Sequence, residues 1–458
     1  MTNSPFKTCD ILIQSALILT VGADDAIIRD GAVAIGGTRI LEVGPSAELR
    51  PRYLARETID AAGAVVHPGF IDAHIHVSQY TARSVLQRMS GARVNMGDWK
   101  AALTPDDEFA SAQLAAVDYL RSGYTAFVDP GTIFEPDAVA AATGAVGLRM
   151  WLTDPYVADR GHQLTERLGD LASPAFLGRW PKTTDEALAR IGTELRRNAD
   201  RDGLAHAFVG IYGEETASPE LYEAALDAAR RNGVQFQEHR GYLPAAYRAT
   251  ERALGMSAVR HLSDSGVLGP GTTFIHMNVV HSEDVPLLAR SGTAIVWCPY
   301  GQLQMMGAGD AEARMLELHR GGCAIGLATD IPRAIDFDAL GALAVANAAA
   351  CGTPAGGGDI LRMRTIGAAR TIGAATEVGS LEAGKRADLV IRSSNESETL
   401  GVDPIWEAAV LGLGQPPEAV VVNGAIVLRN GRPLRVEPHD ATARARTSVR
   451  NLLNRIGL

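Results

Sequence analysis

The chain has 458 residues, of which 46% are hydrophobic and 21% are charged, and its formal net charge is -10. This composition excludes a disordered or fibrous protein. The negative charge and the lack of a basic cluster argue against nucleic acid as a partner. No stretch approaches about 18 uninterrupted apolar residues and the N-terminus lacks a signal-peptide pattern, so we expect a cytoplasmic protein that does not enter a membrane.

The first predicted elements are short strands between residues 10 and 44, where apolar runs alternate with turn residues. The same texture returns near the C-terminus, where Asn423-Gly424 and Asn430-Gly431 have the sequence of tight hairpin turns. Because both ends of the chain have this pattern of short strands and turns, we expect their strands to pair with one another. We therefore predict a small composite β-sandwich domain formed by residues 1–66 and 378–458, the second of which ends in a helix.

Between these flanks, residues 67–377 alternate apolar runs with amphipathic helical segments that often end at glycine. Eight runs have the continuous apolar character of strands that are buried on both faces. In one-letter code they are AVVHPGFIDAH, YTAFVDPG, AVGLRMWL, AHAFVGIY, VQFQEH, TTFIHM, TAIVWC and CAIGLATD. This pattern predicts an α/β fold, a (β/α)8 TIM barrel. The long connection over residues 153–204 is expected to form a lid or a substrate wall.

Histidines and one aspartate stand at the ends of four predicted strands. His74 and His76 end the first strand, His239 the fifth, His276 the sixth and Asp330 the eighth. The carboxyl ends of barrel strands meet at one mouth, and residues two apart on a strand face the same side. Three imidazoles and one carboxylate suit Zn, Fe, Co, Mn or Ni, with a position left for water. We predict a metal site at this mouth.

The chain resembles the metal-dependent amidohydrolase superfamily, in the branch of chlorohydrolases and of guanine- and adenosine-type deaminases. The segments that carry the resemblance are PGFIDAHIH, SGYTAFVD, SPELYEAALDAARRNGVQFQEH, LATD, GSLEAGKRADLVI and VVVNGAIVLRNG, and they span almost the entire chain. By this resemblance, His74, His76, His239 and Asp330 hold one divalent metal ion, with zinc the first choice. His276 then orients the water or the substrate carbonyl.

Three aromatic residues depart from the pattern of the deaminases in this branch. Those enzymes carry a glutamate three residues after the strand-five histidine, where this chain has Tyr242. Tyr212 and Trp297 occupy positions, on strand four and after strand seven, where a histidine is common. These differences argue against ring deamination. We predict that Tyr242, Tyr212, Trp297 and Gln79 bind the substrate, and the alternative for the aromatic residues is packing at the barrel rim.

The predicted function is hydrolysis of a small amide, urea or carbamate at a C–N or C–S bond by metal-activated water. Asp330 would carry a proton from the water to the leaving group, and His276 would polarise the carbonyl. Superfamily members that split phenylureas and thiocarbamates resemble this pattern. Two alternatives stay open: a deaminase or dechlorinase of a nitrogen heterocycle, and a non-catalytic barrel scaffold. We also expect a homo-oligomer. A second metal ion, bridged to the first by Glu214 or Glu215, is a further open alternative.

Overall fold

The computed structural model of the chain describes residues 6–85, 94–167, 172–307, 314–331, 337–393, 403–411 and 416–458. In chain order the strands are β1 (Lys7–Leu19), β2 (Ile27–Gly36), β3 (Arg39–Pro45), β4 (Tyr53–Asp60), β5 (Val65–Pro68), β6 (Phe70–Asp72), β7 (Tyr124–Val128), β8 (Arg149–Leu152), β9 (Ala205–Ala207), β10 (Val209–Gly213), β11 (Phe236–Arg240), β12 (Thr272–His276), β13 (Ala294–Trp297), β14 (Ile325–Leu327), β15 (Leu389–Arg392), β16 (Ala419–Val422), β17 (Ala425–Arg429) and β18 (Arg432–Pro433).

The α-helices span Ser46–Leu49, Met96–Ala101, Pro105–Arg121, Pro136–Val146, His162–Arg167, Pro174–Leu177, Thr184–Leu188, Pro219–Asn232, Pro244–Leu254, Ala258–Asp264, Val285–Ser291, Pro299–Gly307, Met315–Arg320, Leu340–Ala350, Gly357–Arg364, Ile366–Thr371, Pro404–Trp406 and Pro438–Ile456. Short 3-10 or π-helical segments span Val77–Ser84, Thr193–Ala199, Phe337–Ala339 and Glu407–Leu411. Among the residues that the structure describes, every helix is too short or too polar to cross a bilayer.

Strands from both ends of the chain form one nine-stranded sheet, in the order β18-β17-β16-β15-β5-β1-β2-β3, with β4 also paired to β1. The antiparallel pair of β5 and β15 joins the two ends. The predicted composite domain is therefore confirmed, and the predicted boundary after residue 66 falls within β5. β1 also pairs in parallel with β4 and with β5. The alternation of apolar runs and turn residues in the sequence does not predict these parallel pairs.

The two predicted hairpin turns lie where they were expected, between β16 and β17 and between β17 and β18. Asn423, Gly424, Asn430 and Gly431 all have positive φ angles. Positive φ at both central residues is the requirement of the tight turns that match strand twist, and asparagine followed by glycine meets it at low cost. The C-terminal part of the sheet is thus specified locally by its turns.

The other strands close into a barrel. β6 to β9 form one parallel sheet and β10 to β14 form a second. Phe208 interrupts the predicted fourth strand, so β9 pairs with β8 while β10 pairs with β11. The barrel closes where its first strand, β6, meets its last strand, β14. There the N–H of Ala73 donates to the carbonyl of Leu327 over 3.0 Å, and the N–H of Asp330 donates to the carbonyl of His74 over 2.9 Å. The predicted (β/α)8 barrel is confirmed.

Apolar side chains fill the barrel and separate it from the outer helices. Residues such as Ile71, Val128 and Ile275 form the interior cluster, and a larger cluster lies between strands and helices. The helical segments predicted before the second and fifth strands are present as Pro105–Arg121 and Pro219–Asn232. Thr104 caps the helix Pro105–Arg121 by accepting from the Asp107 N–H, and Gly233 ends the helix Pro219–Asn232 in a left-handed conformation.

A buried ion pair connects the barrel to the composite domain. Arg149 on β8 is 1% exposed, and its Nε and Nη2 donate to Asp388 over 2.8 and 3.1 Å. We expect Asp388→Ala to lower the free energy of unfolding by about 3 to 5 kcal/mol, because it leaves a buried guanidinium without its carboxylate. Urea unfolding measures this change.

A matched control is the exposed pair of Arg231 and Asp227, whose atoms lie 3.7 Å apart. Asp227→Ala should change stability by about 1 kcal/mol or less, because water solvates both partners. Equal effects of the two substitutions would contradict a structural role for the Arg149–Asp388 pair.

Candidate metal centre

The first two histidines lie just beyond the end of β6, at the seam where the barrel closes. Asp72, the last residue of β6, accepts hydrogen bonds from the N–H of His74 over 3.2 Å, from Thr329 and from Tyr119. Ile75 forms an isolated parallel bridge to Asp330 and packs in the outer apolar cluster. His74 and His76 are thereby left on the inner side, as the spacing predicts.

The predicted residues converge on one point at the carboxyl ends of the strands. Asp330 Oδ1 lies 3.0 Å from His76 Nε2 and 3.5 Å from His74 Nε2. The ring centroids of His74 and His239 are 4.9 Å apart, and those of His239 and His276 are 5.6 Å apart. Ligand atoms lie within 4.8 Å of one another in the groups His74, His76, His239 and His74, His276, Asp330.

Unpaired imidazole nitrogens show that this cluster fits a metal ion. Nδ1 of His74, Nε2 of His239 and Nδ1 of His276 are buried without a hydrogen-bond partner among the described residues, although buried polar atoms are normally paired. Nδ1 of His239 donates to the carbonyl of Tyr212 over 2.6 Å. Its Nε2 therefore presents a lone pair to the centre, the usual arrangement of a metal-binding histidine.

Burial sets the protonation states that a cation requires. It lowers the pKa of His74, holds that of His239 well below its ordinary value and lowers that of His276 to about 3. Burial by itself raises the pKa of Asp330, but contacts with His74 and His76 outweigh it and hold that pKa well below its usual range. Neutral imidazoles and an ionised carboxylate are the ligand forms of these groups.

Asp129 and Thr132, which follow β7, support the centre, and sequence reasoning gave them no role. The carboxylate of Asp129 accepts from the N–H groups of Val77, Gly131 and Thr132 over 2.8 to 3.0 Å. Thr132 Oγ1 lies 2.7 Å from His76 Nδ1. The sequence signal that could have identified Asp129 is its position at the end of a predicted strand, in FVDPGT.

The structure brings Tyr242 to the centre. Its ring centroid lies 4.8 Å from that of His276. Its N–H donates to Glu214 Oε1 over 2.8 Å, and Asn278 Nδ2 donates to its carbonyl over 3.0 Å. Burial raises the pKa of Glu214 to about 7, and neither Glu214 nor Glu215 belongs to a metal-binding group among the described residues.

Tyr212 connects the centre to an aromatic wall built by the long connection. Its ring lies 5.1 Å from His239 and 4.9 Å from Trp180. Phe176 and Tyr156 pack against Trp180 at 5.3 and 5.1 Å. Residues 168–171 of this connection lie outside the described residues. The long connection thus forms a buried aromatic cluster beside His239, and its role as a lid or substrate wall stays a prediction.

Trp297 does not reach the centre, contrary to the substrate-binding prediction. Its ring packs with the apolar residues between strands and outer helices, and its indole N–H donates to Gln302. Gln79 is 1% exposed and its amide has no hydrogen-bond partner among the described residues. The backbone N–H of Gln79 donates to the carbonyl of His76 over 2.9 Å. Gln79 therefore remains a candidate substrate contact beside the candidate metal ligands.

A parallel barrel with imidazoles and a carboxylate gathered at the carboxyl ends of its strands defines a metal-dependent hydrolase. The chain belongs to the amidohydrolase family, whose sequence profile matches residues 65–427. A second profile, the imidazolonepropionase-like composite domain of bacteria, matches residues 31–53. The chain's relatives are metal-dependent enzymes that include deaminases, which act on C–N bonds, and chlorohydrolases, so the non-catalytic alternative has no support.

Three relatives are similar over nearly their whole length. A 5-methylthioadenosine/S-adenosylhomocysteine deaminase from Pelotomaculum thermopropionicum is 26% identical, covering 97% of this chain and 99% of its own. The solved structure of an adenosine deaminase from Xanthomonas campestris with bound zinc has a TM-score of 0.83 at 21% identity, covering 98% and 100%. That of atrazine chlorohydrolase from Arthrobacter aurescens TC1 with zinc has a TM-score of 0.80 at 23% identity, covering 96% and 100%.

Proposed function

We propose that this protein is a zinc-dependent hydrolase that replaces an amino or chloro substituent of a nitrogen heterocycle with a hydroxyl group. The observation that carries the proposal is the orientation of Asp330. One carboxylate oxygen faces His74 and His76, and the other points towards Gly301, where it would lie 3.4 Å from an added Cβ. One group can thus carry a proton from water to a leaving group. The deaminase and chlorohydrolase relatives favour this alternative over the amide, urea or carbamate reaction.

His74, His76, His239 and Asp330 would hold the ion. A bound zinc ion lowers the pKa of its water towards about 7 and so supplies a nucleophile at neutral pH. Asp330 accepts the proton that water loses. It donates this proton to a departing amine, whereas a departing chloride leaves as the anion and the proton passes to solvent. His276, neutral at pH 7 because burial lowers its pKa to about 3, can hydrogen-bond the substrate or the water.

A second candidate is the amide, urea or carbamate hydrolysis that the sequence predicts, and Tyr242 is the observation in its favour. A phenol donates a hydrogen bond, but it gives up its proton less readily than a carboxylic acid. A ring nitrogen that must be protonated during attack is therefore served less well than in relatives with a glutamate at this position. The homo-oligomeric state and cytoplasmic location remain predictions from the sequence.

We expect zinc-loaded protein to release ammonia or chloride from aminated or chlorinated purines, pyrimidines or triazines. The measurement is a substrate screen that also contains acyclic amides, ureas and carbamates and scores ammonia, chloride and amine separately. Protein stripped of metal is the control and should release nothing. Amine release from acyclic substrates alone would favour the second candidate and overturn the first.

A further inference from the structure

A cavity of about 490 Å³ lies behind strand β11, between the strand and the outer helices. Its lining comes mainly from β10, β11 and the helices that lie between β10 and β12 in the chain. Side chains alternate along β11, so His239 faces the candidate metal centre while Glu238 and Arg240 face outward. The guanidinium of Arg240 accordingly lies 5.6 Å from the centroid of the Phe274 ring, which belongs to the outer apolar cluster. The strand thus separates this cavity from the mouth of the barrel.

The carboxylate of Glu238 is buried in the wall of this cavity with one oxygen unused. The residue is 1% exposed. Its Oε1 accepts hydrogen bonds from the Tyr222 hydroxyl over 2.7 Å and from Arg240 Nε over 2.8 Å, and Arg240 Nη2 lies 2.7 Å from the same atom. Because these donors all use Oε1, Oε2 has no hydrogen-bond partner among the described residues. A buried acceptor without a donor costs free energy, so a ligand that brings a donor to Oε2 is favoured.

The charge and the size of the cavity define the kind of ligand. The charged and titratable side chains in its lining are Glu215, Glu223, Glu238, Arg160, Arg240 and His261. The carboxylates outnumber the guanidinium groups by one, which favours a cation. Much of the remaining wall is apolar, including Ile211, Leu226 and Leu262. The volume lies in the range of small-molecule sites, about 300 to 1,000 Å³.

We propose that this cavity binds a small organic cation, an ammonium or amidinium group on an apolar body, which donates a hydrogen bond to Glu238 Oε2. The apolar body packs against the side chains of the outer helices, and the charged N–H group forms a charge-assisted hydrogen bond. The site is distinct from the candidate metal centre, because β11 lies between them. The inference goes beyond the proposed function and holds for either candidate reaction.

Benzamidine is the probe, because it is a cation with N–H donors on a flat apolar ring, and benzoate is an anion of similar shape. Calorimetric titration into the zinc-loaded protein should show binding of benzamidine and none of benzoate. Glu238→Gln should raise the Kd of benzamidine by about 10-fold or more, because it removes the charge that receives the hydrogen bond. Glu223→Gln is the matched control, since it makes the same change on an exposed residue of the same lining. It should change the Kd by about twofold or less, because water screens the exposed carboxylate.

A second variant blocks the cavity without altering Glu238, and so keeps the test decisive if Glu238→Gln protein does not fold. Ser265 is exposed and lines the cavity, and the indole of Ser265→Trp should occupy the entrance and abolish binding. Ser282→Trp, on an exposed serine outside this lining, should bind benzamidine as the wild type does.

Asp330→Asn protein distinguishes the cavity from the barrel mouth, and it should also bind benzamidine as the wild type does. Four results would overturn the inference: no binding by the wild type, equal weakening by Glu223→Gln and Glu238→Gln, binding that Ser265→Trp leaves intact, or binding that Asp330→Asn removes.

Discussion

Asp330→Asn protein is expected to lose turnover by about 10^3-fold, while it still binds metal. The amide retains an oxygen that can face His74 and His76 but cannot carry a proton, and general acid–base catalysis contributes about 10^2- to 10^4-fold. The measurement pairs kcat on the substrate found in the screen with metal content by atomic emission. Full activity in this variant would remove the proton-transfer role from Asp330.

Asp227→Asn serves as the control for this variant, because it makes the same chemical change on an exposed side chain of the helix Pro219–Asn232. It should retain both metal and turnover. A loss of activity shared by the two variants would point to a general effect on the fold and would contradict the specific role of Asp330.

Metal content is expected to fall from about one ion per chain to nearly none in His239→Ala and in His74→Ala, and turnover should fall with it. Each substitution removes one of the few nitrogen ligands, and a zinc site normally needs four donors. Zinc should then no longer raise the thermal midpoint, because stabilisation by a ligand depends on its binding to the folded state.

His439→Ala is the matched control for the histidine variants. The His439 side chain is 91% exposed and lies in the C-terminal helix, so the variant should bind and stabilise like the wild type. Retention of a full equivalent of zinc in both His239→Ala and His74→Ala would contradict the predicted ligand set.

The sequence was sufficient to predict the barrel and the composite domain because their signals are local. Continuous apolar runs mark strands that are buried on both faces, and Asn-Gly pairs mark the hairpins of β16 to β18. The interruption of the fourth strand at Phe208 has no local sequence signal, because it depends on the pairing of β9 with β8 and of β10 with β11. The parallel pairs of β1 depend in the same way on long-range contacts.

At the centre, residue types were predictable but side-chain directions were only partly so. Along β13, alternation puts Val296 in the interior cluster and Trp297 in the outer layer, so a position at the strand end does not ensure access to the mouth. His276 and Asp330 have φ angles of 81° and 61°, and such conformations break strand alternation. Counting along the sequence therefore could not settle which strand-end residues face the centre.

The seam between β6 and β14 has a consequence for the order of events in folding. His74 and Asp330 come from the first and last strands of the barrel, and their backbones bond directly across the seam. The candidate metal ligands thus meet only when the two ends of the barrel sequence have met, and such distant contacts form slowly. The complete set of candidate ligands therefore forms late, and a chain still emerging from the ribosome before residue 330 lacks it.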